Sequence, residues 1–391
     1  MKRNLTRITG ILGTLMTITP FSIDMYLPAF SRIAEDFGTT VPRVGFSMSS
    51  YFIGLSLGQI LYGPFLDRFG RKPPLYFGLG LYLLMTVLCM LAPNIELLIV
   101  ARFFQAVGGC AASVSVVAMI RDFYPATDRA KIFSRMMLIL SVSPFFAPSI
   151  GSLIVGAAGW RSVFGVLGGI AATVLLLVRF ALPESHAADS KISLRPGAIA
   201  KEYVSIFRHP HFFRYAVSGA LSFAGLFSYL AASPAIFMGV HGLSEREFGL
   251  VFAVLSVGMI GGSQVSVLLG KRYAPAAIFR TALLGQLAFA TIFLVAALGP
   301  GMGFIPEAAI LFGLISCVGL TYPNAAALAL EPFAKNAGSA AAMLGFLQMG
   351  IGGLGSAVFG MIPLEPSSAV GIVFVATVGL SAALFFGRRA K

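Results

Sequence analysis

The sequence predicts an all-α integral membrane protein, with twelve transmembrane helices in two six-helix bundles. Three observations predict it. Of 391 residues, 57% are hydrophobic and 11% charged, with a mean hydropathy of +0.88, whereas a soluble domain carries roughly a quarter charged residues. The apolar residues gather in twelve runs of about 20, the length that crosses a hydrocarbon core. The one long polar connection, 183–210, divides those runs six and six.

The runs cover 8–30, 44–65, 74–92, 96–119, 131–156 and 160–181, then 211–235, 246–269, 276–298, 304–328, 337–361 and 368–387. Lys2, Arg3 and Arg7 precede the first run, and no small-residue cleavage site follows it, so that span is expected to be retained. With the N-terminus inside the cell, 23 of the 28 Lys and Arg fall on the inner side. Arg32, Arg43, Arg161 and Arg246 fall outside, and Arg102 lies within a span. Cytoplasmic loops collect Lys and Arg, so both termini are expected in the cytoplasm. The net charge of +13 then reflects membrane orientation, and no nucleic-acid partner is expected.

The expected organisation is an N-terminal bundle over 1–182, a cytoplasmic linker over 183–210 carrying Lys191 and Arg195, and a C-terminal bundle over 211–391. Within the linker, 197–208 reads either as a solvated connection or as a short amphipathic helix with Tyr203, Ile206 and Phe207 towards lipid. Gly54 and Gly58 in the second span, and Gly352, Gly355 and Gly360 in the eleventh, allow close helix approach. Cys89, Cys110 and Cys317 fall inside spans and read as small buried hydrophobes. His186, His209, His211 and His241 are scattered over loops and helix ends, which gives a metal site no support. No Gly-Lys-Ser/Thr phosphate loop is present, so the chain is not by itself an ATP-driven pump, and no cofactor is expected.

Two residues read as ionised at depth. Asp24 lies in the first span, about 16 Å below the end marked by Glu35, and Arg102 in the fourth, about 9 Å in from Glu96. A charge inside a span costs at least roughly 2.5–3.5 kcal/mol and faces a cavity or a partner. At similar depths the two can offset each other. Alternatively Asp24 finds water at a helix kink, and Arg102 snorkels to the headgroups.

The segment Gly63-Pro-Phe-Leu-Asp67-Arg68-Phe-Gly70-Arg71-Lys72-Pro73 joins the second and third spans. It closely resembles the loop signature of the major facilitator superfamily of secondary transporters. Arg102-Phe-Phe-Gln105-Ala-Val-Gly108 is similar to that superfamily's R-x-x-Q-G-x-G motif, with Ala106 for the first Gly. Ser143-Pro144-Phe-Phe-Ala147-Pro148-Ser-Ile-Gly151 resembles the antiporter signature of the fifth span, with Ala147 and Ser152 in place of two glycines. Its other reading is a packing kink made by two mid-helix prolines. Ser22-Ile-Asp24-Met-Tyr26-Leu-Pro28 resembles the first span of the bicyclomycin/chloramphenicol-resistance drug:proton antiporters, as do Met119-Ile-Arg121-Asp122 and Ser222–Tyr229.

The resemblance implies a major facilitator fold and proton-driven efflux across the bacterial inner membrane, in which the buried charges of Asp24 and Arg102 would serve proton coupling. It implies a cytoplasmic gate of Gly63, Asp67, Arg68, Gly70, Arg71 and Asp122 that latches the two bundles, the other reading being exposed ion pairs. Pro144, Pro148 and Gly151 would form the antiporter kink. Tyr26, Phe223, Phe227, Tyr229, Tyr322, Asn324 and Gln348 would line a cavity for small amphipathic or weakly polar substrates, although aromatics in apolar helices more often pack. A monomer is expected. A symporter or facilitator for a small nutrient remains the alternative. A membrane-embedded enzyme would need a catalytic constellation, and the sequence offers none.

Overall fold

The computed structural model describes residues 2–189, 194–299, 301–333 and 336–387, so Lys191 of the linker lies outside the described residues. The first half contains α1 (Lys2–Asp24), α2 (Phe30–Asp36), α3 (Val41–Phe69), α4 (Lys72–Met90), α5 (Ile95–Phe123), α6 (Ala126–Ala158) and α7 (Arg161–Ala181). The linker helix α8 (Pro196–Arg208) follows. The second half contains α9 (Pro210–Pro234), α10 (Glu245–Leu269), α11 (Pro275–Leu298), α12 (Phe304–Leu330), α13 (Ala337–Met361) and α14 (Pro366–Gly387). Eleven spans among the described residues are long and apolar enough to cross a membrane, with α1–α2 counted as one and α9 with its following turn as another. α6, 33 residues long with Phe146–Ala158 as its short apolar part, takes the twelfth position.

Helix ends follow local chemistry. Asn94 caps α5 by accepting from Leu97 N at 2.9 Å, and Ser244 and Glu247 form a reciprocal capping box at α10. α3 stops at Gly70, whose φ of +86° lies in the left-handed region that a side chain disfavours. The first span differs from a single run over 8–30, because it breaks after Asp24 and resumes through a 3₁₀ turn, Leu27–Ala29, into α2. The N–H that would close onto the Asp24 carbonyl belongs to residue 28, and Pro28 has none.

In the first half α5 packs on α3 and α4, and α1 on α5, α6 and α7; in the second, α12 packs on α9, α10 and α11, and α14 on α9 and α11. A Cβ on Gly54 would collide with the Phe103 carbonyl oxygen of α5, so the α3–α5 backbones touch directly. The halves meet along α3 with α13 and α6 with α10. Across the first seam Ser49 donates to Ser356 Oγ at 2.8 Å and Ser56 to the Phe346 carbonyl at 2.8 Å. At the end away from the linker, Arg32 of α2 reaches Glu245 of α10 at 3.3 Å, again between halves.

α8 turns its apolar face onto the protein, not to lipid. Tyr203 and Ile206 are buried, and the Tyr203 hydroxyl donates to the Ile60 carbonyl of α3 at 3.2 Å. Phe207 is half-buried and meets the Phe213 ring edge-on. The helix also packs on α9 and α13, which offer an apolar surface that a linker in solvent would lack.

Candidate functional site

Arg102 is fully buried in the first half and has no counter-ion among the described residues. Its guanidinium donates to Gln105 Oε1 at 2.7 Å and to the Ser22 carbonyl oxygen at 2.9 Å. It lies over the Tyr51 ring at 4.0 Å and the Tyr26 ring at 4.6 Å, where the ring quadrupoles offset part of the cost of burying a cation. Gln105 Nε2 donates to Thr86 Oγ1 at 2.7 Å, and the Ser22 and Tyr82 hydroxyls are 2.6 Å apart. The charge is thus held on α5 by Gln105, the α1 backbone at Ser22 and the rings of Tyr26 and Tyr51, with Thr86 of α4 bracing Gln105.

Asp24 stands at the break between α1 and α2, 6% exposed, with no hydrogen bond or ion pair to its carboxylate among the described residues. Arg102 and Asp24 are not brought together as an ion pair. The guanidinium binds the backbone at Ser22, and residues two apart on a helix do not face the same way. The backbone beside Asp24 is instead met by the antiporter-like segment. Pro144 is half-buried and Pro148 buried within a continuous α6, and one turn on, a Cβ on Gly151 would strike the Met25 backbone.

Of the cavity candidates, Phe223, Phe227, Tyr322 and Gln348 come together. Phe223 lies 5.2 Å from Phe227 and 4.8 Å from Tyr322 between ring centroids, and Gln348 is within hydrogen-bonding reach of the Tyr322 hydroxyl. Phe227 crosses the seam to Phe52 of α3 at 4.2 Å. The other three are turned into helix packing. Tyr26 bonds Ser47 Oγ at 2.8 Å inside the first half, Tyr229 stacks on Phe252 within the second, and Asn324 donates to Ser266 Oγ at 2.6 Å between α12 and α10.

At the linker end Asp67, Arg71 and Asp122 do meet. Arg71 Nη1 is 2.6 Å from Asp67 and Nε 2.8 Å from Asp122. Burial lowers the pKa of the Arg71 guanidinium, but hydrogen bonds and charge from Asp122 and Asp67 outweigh it and raise it above its ordinary value. The Glu184 carboxylate accepts from the backbone N–H groups of Arg71 at 2.9 Å and Lys72 at 3.0 Å, filling the N-terminus of α4 with an anion. Ser185 donates to Asp122 at 3.0 Å. Gly70 lies against the His186 carbonyl, Gly63 against the Tyr203 hydroxyl, and Arg68 over the Phe69 ring. All three ionic partners belong to the first half. The cluster ties the loop and α5 to the start of the linker and does not bridge the two bundles.

The profile of the Major Facilitator Superfamily matches residues 12–360. The chain belongs to that superfamily. It is 30% identical over 383 residues to the uncharacterized MFS-type transporter YdgK of Bacillus subtilis, covering 96% of this chain and 94% of the relative. It is 28% identical over 378 residues to the bicyclomycin resistance protein homolog of Haemophilus influenzae, with 96% and 94% covered. To the multidrug resistance protein MdtL of Escherichia coli it is 29% identical over 339 residues, with 86% and 83% covered. These relatives agree with the bicyclomycin/chloramphenicol-resistance branch. Among solved structures a D-xylose-proton symporter superposes with a TM-score of 0.78 at 17% identity, covering 98% of this chain and 97% of that one. A bacterial Spinster homologue in an inward-facing, occupied conformation superposes at 0.76 and 17%, covering 99% and 97%. The chain is therefore a multi-pass membrane transporter and not an enzyme.

Two parts of the transporter's site escaped the sequence reading. The cage of Ser22, Tyr51, Tyr82 and Thr86 around Arg102 is drawn from separate helices, and only Gln105, within the same motif, carried a local signal. Glu307 corrects the count of two charges at depth. It lies inside a span and is 1% exposed, with His241 Nε2 at 2.6 Å. Its place in the first turn of α12 makes it read as an ordinary helix-start acid, and His241 lies 66 residues away in sequence.

Proposed function

We propose that this transporter exports small amphipathic or weakly polar drugs or metabolites across the bacterial inner membrane in exchange for protons, by alternating access. It works as a monomer with both termini cytoplasmic, draws on the proton gradient and uses no bound cofactor. The observation that carries the reading is Asp24, a buried carboxyl group at a helix break without a counter-ion among the described residues. A carboxyl group is cheapest neutral while dry and can ionise once hydrated or approached by a cation. Such a group can take a proton at one face and yield it at the other.

The α6 segment supports the same reading, because Gly151 abuts Met25, the residue next to Asp24. Any tilt of α6 against α1 moves the backbone that carries the carboxyl group. Arg102 acts as a fixed buried cation, committed to Gln105 and the Ser22 carbonyl. The aromatic cluster of Phe223, Phe227 and Tyr322 suits flat, weakly polar compounds. The relatives named for bicyclomycin and multidrug resistance favour export over nutrient uptake, and the sugar symporter, at 17% identity, bears on the fold alone.

The test is Asp24→Asn in an efflux-deficient bacterial host, on a panel of antibiotics, with and without collapse of the proton gradient. Resistance is expected with the wild type, only while the gradient stands, and not with the variant at equal membrane abundance. Undiminished resistance with Asp24→Asn would sink the reading.

A further inference from the structure

The second half contains an ionisable pair that this coupling scheme does not use. Glu307 Oε2 and His241 Nε2 are 2.6 Å apart, with side chains 1% and 10% exposed. The other carboxylate oxygen, Oε1, is buried without a hydrogen-bond partner among the described residues, and so is the Tyr229 hydroxyl, which lies within electrostatic reach of Glu307. The rings of Phe304 and Phe237 flank the imidazole at 5.8 and 6.4 Å.

The pair lies where the two halves close. His241 follows a π-helical turn, Ala235–Val240, that packs on α9, α10, α14 and, across the seam, α2. Such turns occur mostly as single interruptions of α-helices, frequently at functional sites. The charged groups of the surrounding elements are engaged elsewhere or exposed. Arg32 pairs with Glu245 and Glu35, and Asp36 with Arg161. Glu247 caps its own helix, while Arg246 and Glu365 are exposed. Arg280 of α11 and Arg214 and His211 of α9 stand at the linker end of their helices.

At 2.6 Å a proton must lie between imidazole and carboxylate, since two lone pairs would repel. With that proton alone, on a neutral imidazole, the pair is a buried net anion with an orphan oxygen. A second proton makes it neutral, and with no cation paired to it among the described residues the neutral state costs least while the site is dry. We propose that His241 and Glu307 form a second proton-binding site, which keeps this proton while the halves are closed at this end and gives it to water when they part. The proton leaves as hydronium, and Glu307 remains a carboxylate accepting from the neutral imidazole. The site would add a proton to the transport cycle proposed above, and rests on that reading only for its coupling to cargo, not for its titration.

Hydrogen–deuterium exchange of residues 235–243, in the full-length protein in lipid nanodiscs from about pH 5.5 to about pH 8.5, tests it. In the wild type, protection corrected for intrinsic exchange should fall about fivefold or more as pH rises. Glu307→Gln, which cannot form the buried anion, should lose no protection as pH rises, and Glu307→Asp should restore the pH dependence. Wild-type-like pH dependence in Glu307→Gln, or none in the wild type, overturns the proposal. Should Glu307→Gln fail to fold, pH-difference infrared spectra of the wild type and Glu307→Asp decide. A carboxyl band that moves between them supports the site, and identical spectra overturn it. Asp24→Asn transport reports on the antiport reading alone, so the two ideas fail separately.

Discussion

The Arg102 guanidinium is committed to the Ser22 carbonyl oxygen at 2.9 Å, and Asp24, two residues further along the same helix, has no counter-ion among the described residues. The first half thus buries a cation and a carboxyl group on adjoining levels without pairing them. The cation is fixed by Gln105 and two tyrosine rings, which leaves Asp24 as the group able to change state.

Arg102→Lys tests the fixed cation. A lysine keeps the charge but loses the planar fork that binds Gln105 and Ser22 together, and stacks less well between rings. A loss of about 2 kcal/mol in stability is expected, with transport falling alongside. Thermal unfolding in detergent and drug efflux from proteoliposomes measure the two.

Asp24→Asn should separate exchange from drive. Substrate counterflow without a proton gradient is expected to persist, because the aromatic cluster is untouched. For a neutral substrate exchanged for one proton, the membrane potential supplies about 2.3 kcal/mol per 100 mV, so gradient-driven accumulation should drop about fiftyfold. Paired vesicle assays with and without an imposed potential read both quantities.

The linker-end cluster should respond in order of burial. Arg71 is 1% exposed, Asp122 12% and Asp67 45%. Asp122→Asn leaves a buried guanidinium short of a partner and is expected to cost roughly 3 kcal/mol, whereas Asp67→Asn should stay within about 1 kcal/mol. Because Ser185 also bonds Asp122, Asp122→Asn should speed tryptic cleavage within the linker several-fold over Asp67→Asn. Equal melting temperatures and cleavage rates would rule out the ranking.

Gly151→Ala should disturb transport through packing alone. The added Cβ meets the Met25 backbone, which cannot rotate away as a side chain can. Overpacking of this kind costs about 1–3 kcal/mol. Efflux is expected to fall while the aromatic cluster still binds substrate, as measured by tyrosine-fluorescence titration against efflux rate.

The fold was largely legible because apolar length and charge placement are local quantities. Twelve runs, one polar linker and a loop such as Gly63–Pro73 can be read along the chain without knowing what touches what. The site was legible only where a single short segment carried it. Arg102 with Gln105 and the cluster of Asp67 and Arg71 are of that kind, whereas the cage around Arg102 and the Glu307–His241 pair join residues tens of positions apart.

The sequence by itself determined that this chain spans a membrane many times in two halves and that Asp24 and Arg102 lie inside spans; the break after Asp24, where Pro28 supplies no N–H, became visible only in the structure. Only the tertiary structure decided which charges meet. It placed Arg102 on a carbonyl and not on Asp24, turned Tyr26 and Tyr229 into packing, kept the Arg71 cluster inside one half, and set Glu307 against His241. The physical reason is direction. Helical position places a side chain at a depth and on a face, but the partner on that face comes from whichever helix the packing of small residues brings alongside.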